Sequence, residues 1–336
     1  MNGVIINREE YEHNPSHVIP FKERQGFNMK AIVIEAFGGP EQLKEKEVEK
    51  PACGVNQVLI RTHATSVNPV DFKIRQGHLK EAADQLPMIL GGDVAGTVVE
   101  AGSNVTRFRE GDRVFARPRQ FGTYAEYVAV DADIVARIPE QLSFEEAAAI
   151  PLAAMTAWQA LVDHGRLGKG QKVLIHAGAG GVGTYAIQIA KSLGAEVAST
   201  ASAANEELLR SLGVDHFINY KEQDFSQILS DYDVVLDTMG GDIQLDSFKV
   251  LKSGGRLVSL VEQPDEKLAK EAGVTGNVFM MEPKGDQLEQ LAELAAAGKL
   301  KSIIDETYPL TEQGLRDAHE KSESHHTRGK LVITAG

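Results

Sequence analysis

The chain has 336 residues, of which 42% are apolar and 25% charged, with a formal net charge of −13. A length beyond one ordinary core predicts two domains, and the acidic balance opposes a phosphate backbone, so the expected partner is a small molecule and not nucleic acid. The single cysteine, Cys53, excludes an intrachain disulfide and a multi-cysteine zinc site and points to the cytoplasm; no apolar run spans a bilayer, so no membrane partner is expected.

Residues 1–28 hold charges and turn formers (Arg8, Glu9, Glu10, Asn14, Pro15) without a signal-like apolar segment. They read either as an arm laid over the body or as an upstream extension of the reading frame. From Met29 to about Ile138 short strands alternate with turns: 31–34, 58–64, 96–100 and 113–116, punctuated by Gly102-Ser103-Asn104 and Gly111-Asp112. This half is expected to be a mostly antiparallel barrel. The run Glu145-Glu146-Ala147-Ala148-Ala149 starts helical sequence, and from Lys172 strands and helices alternate, with strands expected at 173–175, 196–199, 217–218, 234–236, 257–260 and 278–280. That is the pattern of a doubly wound parallel sheet. A helix at 286–297 and a last strand at 330–334 follow, the strand returning to the first domain.

Strand 173–175 runs into His176-Ala177-Gly178-Ala179-Gly180-Gly181-Val182-Gly183, which contains G-x-G-x-x-G, and helical spacing follows through Val182, Ala186, Ile189, Ala190 and Leu193 to Gly194. In a strand-to-helix turn this is a dinucleotide fingerprint: one glycine for the bend, one for approach to the pyrophosphate, one for helix–sheet packing. At the end of the next strand, where an NAD enzyme places a carboxylate for the ribose 2′-hydroxyl, stand Thr200, Ala201 and Ser202. A carboxylate there would repel a 2′-phosphate, so its absence favours NADP; the plainer reading is that Thr200 ends a strand and Ser202 caps the following helix.

Taken with Val67-Asn68-Pro69-Val70-Asp71, Gly91-Gly92-Asp93-Val94-Ala95-Gly96, Gly122-Thr123-Tyr124-Ala125-Glu126-Tyr127, the stretch 153–158 and Leu236-Asp237-Thr238, the chain resembles the medium-chain dehydrogenase/reductase family from Met29 to Gly336, in its zinc-independent quinone oxidoreductase branch. The resemblance implies a GroES-like substrate domain (29–150, completed by 305–336) beside a Rossmann NADP-binding domain (151–304), and a homodimer. At the catalytic-zinc ligand positions of metal-dependent members stand Asn68, Gly92 and Leu152, and the four cysteines of the structural zinc lobe are missing, so no metal is expected.

By the same resemblance the cofactor is NADPH and the substrate a quinone, or alternatively a 2-alkenal or other enone. Without zinc the substrate must delocalise its own developing charge, and both classes do so. The implied catalytic residues are Asn68, Lys73 and Thr156. Lys73 replaces a tyrosine of many bacterial members, and reads otherwise as a surface charge packed on Phe72. The implied cofactor contacts are Gly178 to Gly183 (with Ala179, Gly180, Gly181 and Val182), Thr200, Ser202, Asn205, Tyr220, the backbone of Phe279 and Met281, and Arg328 for the pyrophosphate. Thr156 and Val182 read otherwise as helix packing, Tyr220 as an ordinary aromatic and Arg328 as a solvated turn residue. Phe72, Met88, Phe121 and Tyr124 are the implied substrate pocket. From another class, the same features suit a non-catalytic NADPH-binding redox sensor.

Overall fold

The computed structural model describes residues 28–336, so the extension expected over 1–28 lies outside the described residues except for Asn28, which opens the first strand. The described chain divides into two compact units, Thr156–Met281 and a second that combines residues 28–155 with Glu282–Gly336.

The β-rich unit is organised by the strand Gln57–Val67, whose side chains at Val58, Ile60, Thr62 and Ala64 are buried. It pairs antiparallel with Val94–Ala101, Tyr127–Asp131 and the last strand, Lys330–Thr334, within a seven-stranded sheet. The strand Asn28–Ile34 carries a separate three-stranded sheet with Lys44–Glu49 and Met88–Ile89. Apolar clusters fill the unit, among them one of Val58, Ile60, Val98, Val114 and Val135, one of Ile32, Ile34, Leu90, Leu315 and Ile333, and one of Met29, Ala31, Val33, Val48 and Ala125. The helix Glu312–Glu323 closes the second cluster, its start fixed by the Thr311 hydroxyl accepting from the Gly314 N–H at 3.1 Å.

The helix Gly285–Ala296 belongs to this unit as well, although the sequence pattern assigned it to the 151–304 domain. Leu288, Leu291, Ala292 and Ala295 form its buried stripe. Its first residue sits so close to the Asp133 backbone that a Cβ on Gly285 would also lie 3.3 Å from Ile134 Cα, so only glycine allows the helix to seat.

The other unit holds six parallel strands in the spatial order His216–Asn219, Glu196–Ala201, Lys172–Ile175, Tyr232–Asp237, Leu251–Ser259, Thr275–Val278. Numbered within the unit that order is 3-2-1-4-5-6, the doubly wound arrangement whose ligand crevice opens outside the strand ends where the order reverses. Here the reversal falls between Lys172–Ile175 and Tyr232–Asp237. The central strand Tyr232–Asp237 is buried throughout, as a strand covered on both faces must be.

Candidate functional site

The chain leaves the reversal point at Ile175 and bends at Ala177, which takes a φ of 51°. The left-handed bend is thus made by an alanine, and the three glycines of the motif serve packing and approach. A Cβ on Gly178 would run into Ser199 Oγ and lie 2.9 Å from Leu209 Cδ2; one on Gly183 would strike the Ala177 carbonyl and lie 2.7 Å from Gly178 Cα. At Gly180 the nearest atom to such a Cβ is the Ala177 carbonyl oxygen, 3.3 Å away, so the fold itself makes little demand for glycine there. In the dinucleotide fingerprint this is the glycine that would leave room for a pyrophosphate, and Gly180 is also the N-cap of the helix Gly181–Ser192, whose first N–H groups lack intrahelical partners. Ala179 is buried, while Gly181 and Val182 remain partly accessible. These residues fit a dinucleotide phosphate.

Beneath the bend, Ser247 Oγ donates to the Ile243 carbonyl at 2.7 Å, so it accepts from His176 Nε2 at 2.9 Å, and His176 Nδ1 takes the Thr200 hydroxyl proton at 3.2 Å. Thr200 Oγ1 in turn accepts from the Ala177 N–H at 3.2 Å. Burial holds the His176 ring neutral by lowering its pKa to about 4. Thr200 is therefore spent on shaping the bend, and Ser202 is the next hydroxyl along the chain. Ser202 is partly exposed, makes no side-chain cap, and accepts from Asn205 Nδ2 at 3.2 Å. Tyr220 is 59% exposed just past the neighbouring strand, its N–H donating to the Ala201 carbonyl. No carboxylate stands among residues 199–205.

At the far end of the same sheet, Phe279 and Met281 follow the strand Thr275–Val278. His164, the last residue of a π-helical turn over Gln159–His164, stacks on Phe279 with 4.2 Å between ring centres and is hydrogen-bonded by Asn277. Thr156 is 8% exposed on the helix Pro151–Trp158 that leads into this turn.

In the β-rich unit the positions matched to zinc ligands converge on one carboxylate. Asp93 accepts from Asn68 Nδ2 and Ser66 Oγ at 2.7 Å each, and from the Leu152 N–H at 2.7 Å, while Gly92 is its chain neighbour. Lys330 Nζ, 3.9 Å from Asp93, donates to the Val67 carbonyl at 3.1 Å and to Asn68 Oδ1. Asn68 is thus gripped at both ends of its amide, with its oxygen toward a cation and its nitrogen toward an anion. Asn68, Asp93 and Lys330 are 2%, 0% and 3% exposed, and burial pulls the Lys330 pKa down.

A second chain of bonds backs the first. Arg75 Nε donates to His319 Nδ1 at 3.2 Å, which places the His319 proton on Nε2, toward Tyr124 Oη at 3.2 Å; Tyr124 donates to Asp71 Oδ2 at 2.9 Å. Asp71 Oδ2 also accepts the Asn68 N–H at 2.8 Å, whereas Oδ1 is buried without a partner. Burial raises the Asp71 pKa to about 6 and lowers that of His319 to about 3.

Of the expected pocket residues, Phe121 is partly accessible and Phe72, 6% exposed, meets His325 edge-on. Met88 and Tyr124 are instead core: Met88 is 3% exposed, and Tyr124 is fully buried with its hydroxyl shared between Asp71 and His319. Lys73 is exposed on the helix Pro69–Arg75, and Arg328 is exposed before the last strand with its N–H donating to Asp305. Asp93 and Lys330 escaped the sequence reading. Asp93 lay inside a quoted motif, so its position was visible; Lys330 carries no local signal. Among the described residues, no group of three or more His, Cys, Asp or Glu side chains is placed to hold a metal.

Comparison with known proteins agrees with this architecture. Family models for an alcohol dehydrogenase GroES-like domain and a zinc-binding dehydrogenase match residues 54–140 and 212–333. The NADPH-dependent alkenal/one oxidoreductase of Arabidopsis thaliana is 38% identical over 318 residues, covering 91% of this chain and 79% of the relative. The 2-methylene-furan-3-one reductase of Solanum lycopersicum is 39% identical with the same coverage. The solved quinone oxidoreductase of Coxiella burnetii superposes with a TM-score of 0.85 at 38% identity, covering 92% of this chain and 99% of that one. With its 3-2-1-4-5-6 parallel sheet, its glycine turn at the reversal point and its GroES-like unit completed by the C-terminal strand, the chain belongs to the medium-chain dehydrogenase/reductase family, in the quinone oxidoreductase-like branch.

Proposed function

We propose that this protein is an NADPH-dependent oxidoreductase that passes hydride to a quinone without a metal. The observation that carries the reading is the cluster around Asp93: an amide, a glycine and a leucine occupy the three matched ligand positions, and the Asn68 amide is held in one orientation by Asp93 and Lys330. Such a site has no Lewis acid of its own, so the substrate must spread the charge that hydride addition creates, as a quinone does. NADPH supplies the hydride when bound. The protein's part is then to orient and to exclude water: Gly180 and the first turn of Gly181–Ser192 receive the pyrophosphate, Ser202, Asn205 and Tyr220 receive the 2′-phosphate end, Phe279 and Met281 offer backbone to the carboxamide, and Arg328 reaches the pyrophosphate. Asn68, Thr156 and Lys73 are assigned to the reacting end.

A second reading, reduction of a 2-alkenal or other enone, is favoured by the names of two relatives at 38% and 39% identity. We further propose a cytoplasmic homodimer joined through the sheet edge formed by Thr275–Val278. The test is NADPH oxidation with 1,4-benzoquinone and a 2-alkenal in parallel, NADH as control, before and after prolonged chelation. Turnover with the quinone that prefers NADPH and survives chelation supports the first reading; alkenal-only turnover replaces it with the second. Tight NADPH binding without turnover leaves a sensor, and metal-restorable loss refutes the metal-free site.

A further inference from the structure

A doubly wound sheet is built of two mononucleotide-binding halves, and the glycine turn, Ser202 and Tyr220 all follow strands of the first half, 3-2-1. The nicotinamide half of a dinucleotide would then lie over the carboxyl ends of the second half, Tyr232–Asp237, Leu251–Ser259 and Thr275–Val278. The last of these strands is the edge of the sheet, and its ladder ends with Val278 opposite Ser259. Phe279 and Met281 lie beyond that ladder, so strand pairing does not fix their backbone.

His164 reaches both sides of that boundary. Its ring stacks on Phe279, with 4.2 Å between centres and 27° between planes. Asn277 Nδ2 sits 3.1 Å from His164 Nδ1; an amide nitrogen only donates, so Nδ1 accepts and carries no proton. One ring thus grips Asn277 inside the ladder and Phe279 beyond it. The ring is itself anchored from behind. The turn Gln159–His164 is π-helical, closed by the Gly165 N–H donating at 2.8 Å to the Ala160 carbonyl five residues back. A Cβ on Gly165 would lie 2.8 Å from that carbonyl oxygen and 3.1 Å from Val234 Cγ1, so the turn ends seated on the central strand Tyr232–Asp237. A π turn holds one residue more than an α turn and is frequent at functional sites. Residues 159–281 all belong to the unit Thr156–Met281.

We infer that His164 is a positioning residue for the nicotinamide end of the cofactor: by holding Phe279 to the sheet through its stack, it fixes the backbone of residues 279–281 that receives the carboxamide. The inference rests on the NADPH reading above. A ring presented by a seated π turn costs the segment less freedom than a strand end left to its own backbone, and a fixed carboxamide partner fixes the plane of the ring that carries the hydride.

The test uses the full chain as wild type, His164→Ala and Asn277→Ala. NADPH is titrated against each, in parallel with adenosine 2′,5′-bisphosphate, which carries the 2′-phosphate end and no nicotinamide. The anisotropy of dihydronicotinamide fluorescence is read at saturating NADPH, where affinity no longer matters. His164→Ala is expected to weaken NADPH about 10-fold, to leave the bisphosphate within about twofold of wild type, and to lower the anisotropy of bound NADPH. Asn277→Ala removes only the donor to Nδ1 and is expected to weaken NADPH about threefold with the same selectivity. Equal weakening of both ligands would make His164 a general structural residue and overturn the assignment, as would unchanged NADPH affinity and anisotropy in folded His164→Ala. If His164→Ala does not fold, Asn277→Ala is judged by the same ratio of the two ligands. A wild type that binds neither ligand defeats the NADPH reading itself; one that binds both leaves a null result to count against His164 alone.

Discussion

Replacing Lys330 by methionine keeps the aliphatic stem and removes the ammonium from between Asn68 and Asp93. At 3.9 Å and an effective dielectric near 20 the Lys330–Asp93 attraction amounts to about 4 kcal/mol. Methionine also leaves the Val67 carbonyl and Asn68 Oδ1 without their donor. Part of this is offset, because burying an ammonium is itself unfavourable, as the lowered Lys330 pKa records. Asp93 keeps its three donors, Ser66, Asn68 and the Leu152 N–H, which limits the damage. The expected net loss is about 3 kcal/mol, as when one member of a buried ion pair is removed. Urea unfolding followed by circular dichroism reads it as a fall in midpoint at unchanged slope. Asp93→Asn and the double variant complete a cycle, with an expected coupling of about 2 kcal/mol. A loss below about 1 kcal/mol, or an equal loss in the Asp93→Asn background, would show that the two charges do not depend on each other.

The glycines separate by role. Gly178→Ala should destabilise the fold by at least about 2 kcal/mol through its clash with Ser199, while Gly180→Ala should leave the melting temperature within a few degrees and weaken NADPH about 10-fold or more, read by thermal melting and fluorescence titration. Ser202→Asp should weaken NADPH far more than NADH in the same titration; equal losses would remove the phosphate assignment. The folded-state pKa of His176, about 4, lies below the ordinary value of 6.5. Its contribution is therefore present above about pH 6.5 and lost as pH falls toward 4, up to about 3 kcal/mol, and His176→Gln should flatten that part of the stability profile. Asp71 has the opposite sign: its pKa is raised to about 6, so stability falls as pH rises from about 4 to 6, and Asp71→Asn should abolish that slope.

Features written into neighbouring residues were legible in the sequence. The strands Arg113–Ala116 and Lys330–Thr334 match their predicted limits, and the glycine turn was found with its helix, because alternation and glycine spacing are local. The strands Lys44–Glu49 and Ile304–Pro309 were not, since KEKEVE and IDETYP are dominated by charge or carry a proline at the edge and look solvated. Ala177, not a glycine, makes the left-handed bend because Thr200, on the neighbouring strand, accepts its N–H and is itself tied to His176. Tyr124 looked like a pocket residue; only Asp71 and His319, 53 and 195 residues away, show that its hydroxyl is already taken. The candidate site is thus readable where one segment carries a motif set by backbone geometry, and opaque where side chains from distant segments divide one charge between them.

The closing strand has a consequence for how the molecule is made. Leu331 pairs with Val67 and Lys330 reaches under Asn68, so a buried charge of the β-rich unit is delivered by a strand made more than 200 residues after the strand it joins. Residues 156–281, by contrast, form one uninterrupted stretch and can fold while the remainder is still being translated. Until residues 330–334 have been made, the strand Gln57–Val67 lacks one of its neighbours and Asp93 lacks its cation. A nascent chain therefore can complete its doubly wound sheet before it completes the cluster around Asp93, and deleting the strand Lys330–Thr334 would arrest it at that stage.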